Sequence, residues 1–162
     1  MADTNAEEFS EYVRAREVRY VRLAYLLCGN QADAEDLVQD VLMACYPKWR
    51  RITQNGDPDK YVRGAIVKRS RGLPRRAFRR KEALGSAVPD VADPELDVAE
   101  PVFRVMALQK LSHVARVVVV ARVEAGLSWQ EIGELVNYSP RQAQRIYNDA
   151  LEELRSHLGG GG

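Results

Sequence analysis

At 162 residues, 46% hydrophobic and 29% charged, the chain has the composition of an ordinary globular protein, long enough for one domain or two small ones with a buried core. Its opening residues, MADTNAEEF, are acidic rather than basic-then-apolar, and no run reaches the apolar length of a membrane span, so a cytoplasmic protein without membrane insertion is expected. The formal net charge of +1 conceals two opposed blocks: residues 60–81 hold ten Lys or Arg and no acid, and residues 82–100 hold six acids and no base. Ten cations with no acid among them call for an anionic partner.

The first predicted helix carries Phe9, Tyr12, Val13, Tyr20, Leu23, Ala24 and Leu27 at three- and four-residue intervals and ends near Gly29. Asn30 or Asp33 caps a second, whose opening turn holds Asp33, Glu35 and Asp36 against the positive end of the helix dipole. Leu37, Val38, Val41, Leu42 and Cys45 form its buried stripe. Cys28 and Cys45 both fall on apolar faces and are expected to be buried thiols without a redox role. Pro47 and Trp49 mark where this helix ends or kinks, and residues 52–59, ITQNGDPD, read as a loop able to contact a ligand. Asp57 and Pro58 then supply a cap and a first-turn proline for a third helix, with Tyr61, Val62, Ala65 and Ile66 inward and Lys60, Arg63, Lys68 and Arg71 on the other faces. Gly72-Leu73-Pro74 stops or kinks it.

Residues 83–99 contain two prolines, are acidic and lack a helical stripe, which reads as a linker; its acids are also placed to fold back on the basic strip. Helical packing restarts at Val102, Phe103, Val105, Met106, Leu108 and Leu111 and continues through Val114, Val117, Val118, Ala121 and Val123. Residues 117–120 have strand propensity, but a lone strand would leave its backbone unsatisfied, so helix is expected there too.

From Leu127 onward almost every residue suits two helices meeting at a tight corner. Ser128 and Glu131 form a capping box, Gly133 leaves room for a close crossing, and Asn137 suits the left-handed conformation that ends a helix. Ser139-Pro140-Arg141-Gln142 opens the second helix with a cap, a first-turn proline and another box. Ala143, Ile146, Ala150, Leu151 and Leu154 continue the buried face, which leaves Ser139, Arg141, Gln142, Gln144, Arg145 and Asn148 as candidates to meet DNA. A helix-turn-helix lays the front of its second helix in the major groove, where Arg and Gln pair bidentately with guanine and adenine. An ordinary corner between core helices is the alternative reading of this stretch taken alone. Nothing favours catalysis: His113 and His157 have no metal-ligand spacing, and neither a nucleophile arrangement nor a phosphate loop is present, so no metal or cofactor is expected.

With these parts in this order, the chain resembles bacterial RNA polymerase sigma factors of the extracytoplasmic-function type. Asp33-Ala34-Glu35-Asp36-Leu37-Val38-Gln39-Asp40 is similar to the signature of that family's second region. The resemblance implies that Asp33, Glu35, Asp36, Leu37, Gln39 and Asp40 meet the clamp coiled coil of the polymerase β′ subunit. Residues 61–80 resemble the segment that binds and melts the minus-ten element, and residues 107–154 the fourth region, which reads the minus-thirty-five element and in relatives meets the β flap. Candidates for the melted element are Asn55, Lys60, Tyr61, Arg63, Lys68, Arg69, Arg71, Arg75 and Arg76, with Tyr61 open to a core role as well.

The implied fold is all-α: helical domains at residues 1–82 and 101–158, the second a helix-turn-helix, joined by an acidic flexible linker at 83–100 and followed by a flexible tail at 159–162. The implied partners are core RNA polymerase and promoter DNA, and an anti-sigma factor is a further family expectation. The chain departs from its relatives at Lys68, where Asn is common, at Gly72-Leu73-Pro74 in place of arginines, at Ser112 in place of proline, and at Arg141-Gln142-Ala143-Gln144 in place of Gly-Thr-Val-Lys. The alternative is a conventional helix-turn-helix regulator unassociated with core polymerase. That reading needs a ligand or phosphorylation domain and a dimer surface, where residues 1–81 offer three helices and a basic strip.

Overall fold

The computed structural model describes residues 4–72 and 99–159, and all the regular structure among them is helical. The first helix, α1 (Thr4–Cys28), stops at Gly29, whose φ of +70° glycine adopts without strain. The cap of α2 (Gln31–Cys45) is Asn30, whose side chain accepts from the Asp33 N–H at 3.0 Å. Asp33 itself is buried in the opening turn.

After α2 a single 3₁₀ turn, Tyr46–Lys48, carries Pro47, and the chain re-enters helix as α3 (Trp49–Gln54). Here the sequence expectation is corrected. The turn formers begin only at Asn55, because Trp49 and Ile52 both sink into the core and pull three residues of the expected loop into a helix. Asp57 caps α4 (Pro58–Ser70), accepting from the Asp59 N–H at 3.0 Å with Pro58 at the first helical position.

The C-terminal half starts with α5 (Ala99–Lys110) and α6 (His113–Val123). Ser112 caps α6 by accepting from the Ala115 N–H at 3.2 Å, and Val117, Val118, Val119 and Val120 are all buried within it. Burial on several sides outweighs their strand propensity. Met106, Val114 and Val123, expected on the packed face, are exposed instead. The last two helices are α7 (Trp129–Val136) and α8 (Pro140–Gly159).

Tyr20, Leu27, Val38, Val41, Val62 and Ile66 fill the N-terminal half, and Val117, Val118, Val120 and Ile132 the C-terminal half. These residues belong to one continuous apolar cluster, since α1 packs on α5 and α6 and α4 packs on α6. Cys28 and Cys45 are both buried free thiols; burial first, then the nearby Asp33, pushes Cys28 up to about 12. The acidic stretch at 83–98, with Arg75 and Arg76, lies outside the described residues.

Candidate nucleic-acid interface

The corner between α7 and α8 is built as its residue types dictate. Ser128 Oγ accepts from the Glu131 N–H at 3.1 Å while Glu131 Oε1 accepts from the Ser128 N–H at 3.0 Å. That backbone bond first, and Lys60 nearby last, hold the Glu131 carboxyl below its ordinary range. Asn137 ends α7 at φ +62°, and a Cβ on Gly133 would lie 2.5 Å from the Tyr138 carbonyl oxygen, so glycine is required for the crossing. Ser139 and Gln142 repeat the reciprocal box at 3.1 and 3.0 Å.

Three further contacts tie α6, α7 and α8 together. Arg122 donates to the Leu127 carbonyl at 3.0 Å with its guanidinium carbon 4.4 Å from the Trp129 ring centroid, and Trp129 meets Tyr147 edge-on. Ala143 and Ala150 are buried, with Ile146, Leu151 and Leu154 half-buried around them. Ser139, Arg141, Gln142, Gln144, Arg145 and Asn148 are all exposed.

A second polar surface runs along α4. Val62, Ile66 and Val67 are fully buried, which turns Lys60, Lys68 and Arg69 outward, and Arg71 is exposed just past the helix end. Tyr61 is 45% exposed, so the alternative of a core role is corrected: Val62, Ile66, Val67 and Ser70 form the buried face of α4, and Tyr61 lies beyond that narrow face. It borders a cleft of about 810 Å³ between the two halves, with Asn55, Lys60, Lys68 and Arg71 on the same wall. Lys48 and Arg51 line it too. Sequence reasoning missed these two because they lie upstream of the acid-free run; counting cations from Lys48, through Arg50 and Arg51, would have found them.

Arg63 is half-buried and held rather than displayed. Its Nε pairs with Asp59 at 3.0 Å, Asp59 accepts from the Tyr20 hydroxyl at 2.9 Å, and Tyr20 bonds Tyr12 at 2.7 Å. Burial, then the bonds to Tyr12 and Asp59, push the Tyr20 phenol far above its ordinary range, so it stays a donor.

Residues 12–81 match the Sigma-70 region 2 family. The chain is 30% identical over 160 residues to the RNA polymerase sigma-E factor of Streptomyces avermitilis, an alignment covering 98% of this chain and 89% of that relative. The chain belongs to the RNA polymerase sigma factor family, in its extracytoplasmic-function type. The sigma-E factor of Streptomyces coelicolor is 29% identical over 153 residues, covering 93% of this chain and 86% of the relative. Among solved structures, the sigma factor RpoE of Bartonella quintana, crystallised with the anti-sigma factor NepR, shares the fold with a TM-score of 0.68 at 19% identity, over 94% of this chain and 98% of that one.

Within the sigma factor octapeptide the side chains divide by burial. Asp33 and Leu37 are buried and serve the fold, whereas Glu35, Asp36 and Gln39 are exposed. Asp40 is half-buried, 4.0 Å from Arg69 Nε, so the acidic face of α2 and the basic face of α4 adjoin.

Proposed function

We propose that this sigma factor binds core RNA polymerase and directs initiation by meeting two promoter elements through separate helices. On this reading Glu35, Asp36, Gln39 and Asp40 on α2 dock on the β′ clamp coiled coil, with Asp33 and Leu37 shaping that surface from beneath, and the C-terminal half meets the β flap. The α4 surface, with Lys60, Lys68, Arg69 and Arg71, neutralises the backbone of the melted minus-ten element. Tyr61 and Asn55 lie beside those cations, where an extruded base would stack and hydrogen-bond. Arg75 and Arg76 extend the same basic run in sequence.

The front of α8 selects the minus-thirty-five element. Arg141 and Gln142 sit at the helix opening, where the box with Ser139 fixes the approach, while Gln144, Arg145 and Asn148 extend the edge. The observation that carries the reading is the sidedness of α4: a fully buried apolar face, an outward row of cations and an exposed tyrosine, all within the region-two match. The test is to mix the chain with core enzyme and map transcript starts. Initiation at a defined promoter, dependent on the added chain, is expected; absence of a stable core complex overturns the reading.

A further inference from the structure

The cleft of about 810 Å³ between α4 and α7 has walls of opposite charge. On one side stand Lys48, Arg51, Lys60, Lys68 and Arg71, gathered from the 3₁₀ turn, α3, α4 and the residue that follows it. On the other, α7 presents Glu131 and Glu134. Lys60 and Glu131 approach to 4.0 Å, but Lys48, Arg51, Lys68, Arg71 and Glu134 have no ion-pair partner among the described residues. Glu131 is already in use, since its Oε1 accepts from the Ser128 N–H at 3.0 Å. Glu134, a turn further along α7, is exposed.

Between the walls the surface is apolar. Gly64 and Ala65 leave the α4 side without bulk, and Leu127 and Leu135 stand opposite, Leu127 lying 3.7 Å from where a Cβ on Gly64 would be. Tyr61, with its ring exposed, and Asn55 complete the lining. An apolar cleft of this volume with a few placed polar groups is the form that small-molecule sites take. Its groups are also sorted along its length. The contact of Lys60 with Glu131 sets the acids at the end of α4 that carries Tyr61, whereas Lys68 and Arg71 lie at the far end, roughly 16 Å along the helix axis from Lys60.

The two walls make different demands of a ligand. Cations without partners favour phosphate oxygens, and an exposed phenol ring beside an amide suits a purine, which stacks on the one and hydrogen-bonds to the other. A carboxylate accepts hydrogen bonds and repels phosphate, so the α7 wall favours hydroxyl donors. A DNA strand meets the first two demands but not the third, because it carries a phosphate at every nucleotide and lacks the 2′-hydroxyl. A free ribonucleotide meets all three, with phosphates at one end and ribose hydroxyls of the kind that carboxylates hold in dinucleotide-binding folds.

We propose that the cleft between α4 and α7 binds a purine ribonucleoside polyphosphate, with its base on Tyr61 and Asn55, its ribose hydroxyls on Glu134 and its phosphates towards Lys68 and Arg71. The site goes beyond the contact of α4 with DNA and gives the α7 wall a ligand of its own.

The test is calorimetric titration of the full chain at low salt with ATP, dATP and inorganic tripolyphosphate. ATP is expected to bind with a Kd below about 100 µM, and at least about fivefold more tightly than either of the others. Tyr61→Ala should weaken ATP about tenfold and leave tripolyphosphate unchanged. Glu134→Ala should level ATP with dATP by weakening ATP about fivefold. Attraction of phosphate alone gives the opposite sign, because removing an acid would then tighten ATP. Both positions are exposed, and a fluorescein-labelled single-stranded oligonucleotide bound no more weakly by Glu134→Ala than by the unmodified chain would show that its α4 surface is intact.

No binding of ATP at about 1 mM, affinities for ATP, dATP and tripolyphosphate within about twofold, or tighter ATP binding by Glu134→Ala would each overturn the proposal. If the oligonucleotide still binds in those cases, the α4 reading stands and only the nucleotide site falls. Loss of both ligands, with core enzyme added, would strike the α4 reading as well.

Discussion

Helices α4 and α8 are both amphipathic and both turn polar side chains outward, yet they offer DNA different things. From Lys60 to Arg71 the α4 segment carries cations and no acid, whereas α8 sets Arg141, Arg145 and Arg155 against Asp149, Glu152 and Glu153. The first can supply sequence-independent attraction to phosphates; the second cannot, and its exposed front edge is suited to discrimination. Their settings differ too. The α4 surface faces a cleft shared with α7, and two of its cations are engaged across it, while the front of α8 is open. On the proposed reading, affinity and selectivity are therefore divided between the halves.

The division breaks first if the platform under α7 is removed. Ile132 is fully buried, so Ile132→Ala is expected to cost about 2–5 kcal/mol. Because both halves share one apolar cluster, thermal unfolding should stay a single transition at lower temperature. Two separated transitions would mean that the halves are energetically independent.

The attraction assigned to α4 is sharpened by Lys68→Ala combined with Arg69→Ala and Arg71→Ala. Binding of the holoenzyme to melted promoter DNA should weaken on the order of a hundredfold at low salt, and the slope of log affinity against log salt should flatten by about 2, whatever the sequence. A loss confined to one promoter would contradict a backbone role. By contrast, Arg141→Ala should alter preference at a single upstream base pair by about 1–3 kcal/mol and leave the salt slope nearly unchanged. Binding to a library of upstream elements reads out that difference.

The smallest effect concerns pH. Burial, then the nearby Arg116, lowers the His113 pKa below its ordinary 6.5, and the bond to the Arg71 backbone opposes this only in part. Proton uptake is thus harder in the folded chain than in the unfolded one. The contribution to stability is complete above the unfolded value of about 6.5 and is lost as pH falls below it. Melting temperature should decline between neutral and mildly acidic pH, less so in His113→Gln; identical profiles would remove His113 from the account.

Local chemistry was legible in the sequence. The capping pairs Ser128 with Glu131 and Ser139 with Gln142, the Asp57-Pro58 start and the left-handed Asn137 all formed as residue type and spacing dictate, because each is settled within four residues. What escaped depends on distant partners. Tyr61 has helical spacing for burial but lies beyond the narrow strip that α1, α2 and α6 cover, and Ile52 looked like loop until the core claimed it. Met106, Val114 and Val123 are apolar in a pattern that packing only partly uses. Arg63 and Arg116 are ordinary cations in sequence, and only the tertiary fold shows that they close the ends of helices far away along the chain.

The most direct test of the divided account is transcription by core enzyme with this chain, or its Arg141→Ala, Gln142→Ala variant, on promoters randomised separately at the upstream and melted elements. The account predicts starts that depend on the chain, with the variant changing preference in the upstream element alone. Shifts in both elements together, or no chain-dependent starts at all, would contradict it.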